Sequence, residues 1–367
     1  MAFLRQLAAS SKRIASSTLV AQFPWRQTAP LACGAQHVQT ARFSSGPSQM
    51  ELIKQLREKS GAGIVDVKKS LAATNWDPEE AFQDLRKRGL AAAGKKADRV
   101  AAEGLVGVSK TSDGVFFVEM NSETDFVAKN EAFQGLVSKI SKAAVEMPRP
   151  SGSELSVEDL KNADTPDGRM SDVIADVALA VRENIRLRRG FWLPTEGGIA
   201  GTYIHKSVKE GQGNIACAVV MKSEGKALSD LDKSVQDQVE DLASKVAMHV
   251  VAMKPLYLNR TTVDSSALTS ELDVLRSQAE ASGKPPQIIE KIVNGRLNKY
   301  YEEVCLVEQK CVLDDKDGKS VKAYVEAAGK PWGVKLEVAG YLRVQCGEGI
   351  QREEKDFAAE VKATAGL

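Results

Sequence analysis

From Glu103 onward the sequence repeats itself, and this repetition limits the folds open to it more than any other feature. Glu103-Gly104-Leu105-Val106-Gly107 is echoed by Gly197-Gly198-Ile199-Ala200-Gly201. The apolar run 114–120 is echoed by 214–221, each a second strand reached through a loop. Leu136-Val137-Ser138-Lys139-Ile140 returns as Leu242-Ala243-Ser244-Lys245-Val246 in the next helix of the second copy. The offset widens from 94 to 106 residues between the first and last matches, as insertions would make it. Val115-Phe116-Phe117-Val118 has the composition of a buried strand. Phe133, Leu136, Val137, Ile140 and Val145 fall near one helical face. Two strand–strand–helix units predict an α+β fold with a core of two repeated antiparallel-sheet/helix subdomains, 103–193 and 194–260.

Between strand and helix in the first unit runs N-S-E-T-D-F-V-A-K-N-E-A-F, residues 121–133. Glu123, Asp125 and Phe126 place two acids and a large aromatic in that connection, where Thr124 or Asn130 can cap the next helix. Taken alone, T-D-F most often marks a capped helix whose first apolar residue is core. The second unit has Ile215 in its strand and Ala247-Met248-His249-Val250-Val251-Ala252 in an amphipathic helix over 235–253. A lone histidine among apolar residues is usually satisfied inside the core. The join between the units holds a Pro/Gly/Ser loop (148–153), a helix over 171–182, and an alternating strand, 185–193, that carries Arg186, Arg188 and Arg189.

Ahead of the repeat, residues 50–89 read as three short helices. Leu52, Ile53 and Leu56 line the first, and Gly61-Ala62-Gly63 breaks it. Val65, Lys68, Lys69 and Leu71 occupy the second. Asp77 is the expected N-cap of the third, with Pro78 at its first position and Gly89 as its stop. Gly89-Leu90-Ala91-Ala92-Ala93-Gly94-Lys95 imitates the start of a phosphate-binding loop. Lys96, however, stands where a magnesium-binding Ser or Thr belongs, and a helix precedes the run in place of a strand. The stretch 91–102 therefore reads as a linker helix.

The combination is specific. A strand, T-D-F-V-A-K-N and F-x-x-L, preceded by a helical unit containing G-A-G-x-x-D-x-K-K-S (residues 61–70), resembles elongation factor Ts, the guanine-nucleotide exchange factor of elongation factor Tu. The resemblance covers essentially all of 50–367. It implies that 50–90 is a three-helix module similar to ubiquitin-associated domains, and that Thr124, Asp125 and Phe126 are presented to the partner. Phe126 would insert between helices of the partner's nucleotide-binding domain with Asp125 anchoring beside it. That intrusion displaces the elements holding Mg²⁺ and phosphates, and GDP leaves. Lys68, Ile64 and Val65 match contacts of the helical module, and Ile215 and His249 match further contact positions. The family has glycine after the Ile215 position; Ala216 stands here. The partner expected is elongation factor Tu, GDP-bound or nucleotide-free. No cofactor and no bond-making chemistry are expected, since no nucleophile–base pair or metal constellation is evident. The alternative is a helical adaptor that uses the three-helix module without exchange activity.

Farther on, Leu268, Leu272, Leu275 and Ala279, answered by Ile288, Ile289, Ile292 and Leu297 after Gly283-Lys284-Pro285-Pro286, predict an antiparallel helical hairpin over 261–303. A hairpin this long buries little alone and is expected to protrude. The resemblance makes it a coiled coil used for subunit contacts, so self-association is an expectation. The segment 304–367 should return to the core as a strand, 335–345, and then form a short C-terminal module with a helix over 356–361.

The first 50 residues contain no acid, and carry Arg5, Lys12, Arg13, Arg26 and Arg42 among many Ser, Ala and Gln. This is the transit-peptide pattern, ending near Arg42-Phe43-Ser44-Ser45, and predicts a presequence over 1–45 and a mitochondrial matrix location. After Arg42 the chain has 45 basic against 49 acidic side chains, about −4. It lacks the positive field of a general nucleic-acid binder, so no direct nucleic-acid partner is expected. No apolar run reaches membrane-spanning length, and no membrane partner is expected. Cys217, Cys305, Cys311 and Cys346 form no C-x-x-C, and read as buried free thiols.

Overall fold

Ser48 opens the first helix with a reciprocal cap. Its hydroxyl accepts from the Glu51 amide while the Glu51 carboxylate accepts from the Ser48 amide. The structure, a computed structural model, describes residues 47–96, 99–225, 227–281, 285–314 and 318–351. Helix α1 (Gln49–Ser60) ends at Gly61 in the left-handed conformation, φ 65°. After it come α2 (Ile64–Ala73) and α3 (Pro78–Lys96). Asp77 caps α3 as expected, taking the amides of Glu79 and Glu80 at 2.9 and 2.8 Å. Leu52, Ile53, Leu56, Val67, Leu71, Ala81 and Leu85 form the module's own core.

The third helix does not stop at Gly89. It runs on to Lys96, taking up the first half of the expected linker helix while 99–102 are not helical, because three alanines lie just beyond and glycine costs only about 1 kcal/mol in a helix. Gly89 is buried there, and a Cβ would lie 3.2 Å from Leu179 of a later helix. The apparent phosphate loop is thus continuous helix, whose amides serve the helical ladder.

The chain then forms β1 (Glu103–Lys110), β2 (Gly114–Ser122), α4 (Asp125–Ala128) and α5 (Glu131–Glu146). A joining region contributes β3 (Glu154–Leu155), α6 (Val157–Asn162), the two-residue strands β4 (Asp164–Thr165) and β5 (Gly168–Arg169), α7 (Met170–Val181) and β6 (Arg186–Pro194). The second copy of the repeat is β7 (Ile199–Lys209), β8 (Gln212–Glu224) and α8 (Lys233–Met253). After it come α9 (Ser265–Glu280), α10 (Pro286–Val304), α11 (Val321–Gly329) and β9 (Lys335–Gln345). The expected presequence, the tip Gly283-Lys284 and the helix expected over 356–361 lie outside the described residues.

Both copies of the repeat join one antiparallel seven-stranded sheet, ordered β3-β6-β2-β1-β8-β7, with β9 also on β8. The seam is short. β1 meets β8 only at Val106–Gly213 and Gly107–Gln212, and β9 takes over the same edge from Ile215 onward. Gln212 reinforces the seam by donating its side-chain amide to the Gln134 carbonyl and the Ser138 hydroxyl on α5. In the first half, α5 and α7 cover Phe116, Val118 and Met120. In the second, α8 and α11 cover Cys217, Val219, Met221, Leu336 and Val338. The opposite strand faces supply a third core, with Val106, Val115, Phe117, Ala218, Val220 and Val344. Burial on both faces explains why all nine residues of β2 are buried.

Helices α9 and α10 make the expected hairpin, whose narrow seam holds Leu275, Ala279 and Val293. Arg260 pins its base through Glu308, at 2.8 and 2.9 Å, and Asn298, at 3.1 Å. The thiols of Cys217, Cys305, Cys311 and Cys346 are free and buried, as expected. Among the described residues no helix is long and apolar enough to cross a membrane.

Candidate partner-binding surface

Strand β2 ends at Ser122, and the one-turn helix α4 begins three residues later. Val127 and Ala128 turn inward to the first-half core, which forces Asp125 and Phe126 outward. Phe126 is 76% exposed, more than any other large apolar side chain among the described residues. Lys129 pairs with Asp125 at 3.0 Å and lies 5.6 Å from the centre of the Phe126 ring. An exposed phenyl ring flanked by an ion pair offers a partner an apolar anchor with a charged rim.

Thr124 is half-buried and does not cap α4 with its side chain. Its hydroxyl and its amide both donate to the Glu183 carboxylate, at 2.6 and 2.9 Å. Glu123 in turn accepts from the Asn184 amide at 2.6 Å and pairs with Arg99 at 3.4 Å. Asn130 caps α5 by accepting from the Ala132 amide. Sequence reasoning missed Glu183 and Asn184: polar residues after a helix carry no periodic signal, and 59 residues separate Glu183 from its partner.

On the three-helix module, Ile64 and Val65 are 52% and 56% exposed, and Lys68 is exposed beside them. Val67, Ser70 and Leu71 occupy the opposite, buried face of α2. Ile215 is half-buried on β8. Ala216 is fully buried and belongs to the strand-lined core, so its methyl points away from the Ile215 face.

His249 is 1% exposed in this conformation. The Val312 amide donates to Nδ1 at 3.3 Å, which requires Nδ1 to be unprotonated; Nε2 therefore carries the proton and donates to Gln309 Oε1 at 3.0 Å. Burial pushes the His249 pKa down. What reaches the surface at this point is Met248, 42% exposed, and Val312, 53% exposed.

Among the described residues no group of three or more His, Cys, Asp or Glu is placed to hold a metal ion. A family model described as elongation factor TS matches residues 123–348, about three-fifths of the chain. Elongation factor Ts of Paramagnetospirillum magneticum is 44% identical over 317 residues, covering 86% of this chain and 96% of the relative. Mitochondrial elongation factor Ts of Ostreococcus tauri is 45% identical over 337 residues, covering 87% and 93%. The mitochondrial protein of Zea mays is 41% identical over 332 residues, covering 88% and 86%. With a family model matched over more than half its length and relatives at this identity along nearly their whole lengths, the chain belongs to the elongation factor Ts family.

Proposed function

We propose that this chain is the guanine-nucleotide exchange factor of a mitochondrial elongation factor Tu, and that it releases GDP by pushing Asp125 and Phe126 into the partner's nucleotide-binding domain. Family membership supports the exchange activity, which is not catalysis of a bond change. The observation that carries the mechanism is Phe126. A phenylalanine 76% exposed on a short turn, with its neighbours Val127 and Ala128 buried, gains little for the fold and is available for an interface.

In this reading Ile64, Val65 and Lys68 dock the three-helix module, Thr124 holds the wedge, and Ile215 adds a contact from β8. Phe126 displaces the partner's elements around Mg²⁺ and phosphate. Coupling is reciprocal, so whatever the factor does to GDP affinity, GDP does to factor affinity. The hairpin is free to meet a second copy of the chain. The module's likeness to ubiquitin-associated domains, the matrix location and the absence of a nucleic-acid or membrane partner belong to the same reading.

The test is release of labelled GDP from elongation factor Tu, with thermal melting measured on the same preparation. Phe126→Ala should slow release about 30- to 1,000-fold, the usual range for truncating an aromatic anchor, with melting little changed. Asp125→Ala should act less strongly in the same direction. A Phe126→Ala protein that melts normally and exchanges at the full rate would sink the wedge.

A further inference from the structure

Helix α4 has four residues, too few to hold its own direction by helical bonding. Something outside it must aim Phe126. Its inner side is fixed by Val127 and Ala128, and its leading end by the turn just past α7. There the chain lays three consecutive side chains in three directions. Arg182 is left-handed, φ 62°, a conformation a residue with a Cβ adopts at a cost. Its guanidinium pairs with Asp66 of α2 at 3.1 Å and lies over Gly63, where a Cβ would come within 1.5 Å of it. Glu183 takes both donors of Thr124. Asn184 gives its amide to Glu123 and its side chain to the Arg99 carbonyl at 2.9 Å. The two turns thus exchange acids: Glu123 reaches the 182–184 turn while Glu183 reaches the 122–124 turn.

We propose that Glu183 is a positioning residue for nucleotide exchange, and that the turn 182–184 sets the spacing between the Asp125–Phe126 wedge and the docking face of the three-helix module. Thr124 is half-buried, so water could satisfy its amide and hydroxyl. Water would leave the direction of α4 open. A carboxylate holding two donors of one residue fixes it. The neighbouring Arg182–Asp66 pair references the same turn to Ile64 and Val65, the two residues just before Asp66 in α2.

This rests on the wedge reading, and the experiment separates the two. Rate and half-saturation of GDP release are measured for Glu183→Ala, Glu183→Gln, Phe126→Ala and the double variant Glu183→Ala/Phe126→Ala, with melting of each. Losing two hydrogen bonds to a charged group should lower the maximal rate of Glu183→Ala about tenfold or more, while half-saturation, set by docking, stays within about twofold. Glu183→Gln, which keeps one acceptor oxygen, should recover part of the rate. The double variant should be no slower than Phe126→Ala alone, because both changes remove one effect. Thr124→Val removes the hydroxyl from the other side and should repeat the defect if Glu183→Ala folds poorly. A full maximal rate in Glu183→Ala beside an impaired Phe126→Ala, or losses that multiply in the double variant, would overturn the positioning role alone. Full-rate exchange by Phe126→Ala would overturn the wedge and this inference with it.

Discussion

Phe126 and His249 read alike in the sequence, each a ring among apolar neighbours in or beside a helix, yet they end on opposite sides of the surface. The difference lies in the neighbours each one finds. Val127 and Ala128 satisfy the core beneath α4, leaving Phe126 no room inside; His249 is met by Gln309 and the Val312 amide, some 60 residues away. No local pattern announces such a partner, yet the residues alone already favoured a buried histidine, whereas they favoured a core Phe126 that the structure puts outside. His249→Ala should lower stability by about 2–4 kcal/mol, through a cavity and through polar groups left without partners. The sign of the pH effect comes from the depressed pKa: the unfolded chain binds a proton near pH 6.5 that the folded chain refuses. The native protein should therefore lose stability as pH falls below about 6.5, and His249→Ala should show a flatter acid limb in thermal melts. A variant as stable as the parent with an unchanged acid limb would put His249 outside the core.

At the scale of elements, strong periodicity was legible and short connections were not. The strand expected over 335–345 is β9 over the same residues, and the helix expected over 171–182 is α7 within one residue at each end. Helix α11 and strands β3 to β5 went unforeseen: two-residue strands have no period, and a nine-residue helix after a polar loop has little. One glycine of G-A-G-x-x-D ends α1 where the sequence placed a break, and the other has a structural reason that the sequence concealed. Gly61 supplies a left-handed cap, and Gly63 lets the Arg182 guanidinium close on α2. The module is thus tied to the core by its base, through Arg182 and through Arg86, which lies 3.4 Å from both Asp172 and Asp176, while Lys68 faces outward. Reversing the charge in Lys68→Glu should raise the concentration needed for half-maximal exchange about five- to tenfold and spare the maximal rate. An unchanged half-saturation would remove the module's outer face from docking.

At the scale of the whole molecule, the repeat was legible as two halves, but not their fusion into one sheet. A two-pair seam between β1 and β8 leaves no hydrophobic pattern of its own; Gln212 holds it with polar bonds to α5. The presequence expectation also belongs here, since it changes the charge of the entire chain. If residues through about Arg42 are removed, the mature protein changes from +1 to about −4. N-terminal sequencing of protein recovered from mitochondria should begin close to residues 43–46, and a start at Met1 or Ala2 would contradict the assignment. The four buried thiols carry one more consequence. Burial raises the pKa of each, so thiolate is scarce and an alkylating reagent finds little to attack while the fold is closed. Each cysteine is therefore a clock set to the opening of its own neighbourhood: Cys217 in the middle of β8, Cys305 at the foot of the hairpin, Cys311 beside the His249 contact, and Cys346 just past the end of β9. The order in which these four positions are modified reads out which part of the molecule loosens first when a partner binds, without any substitution in the chain.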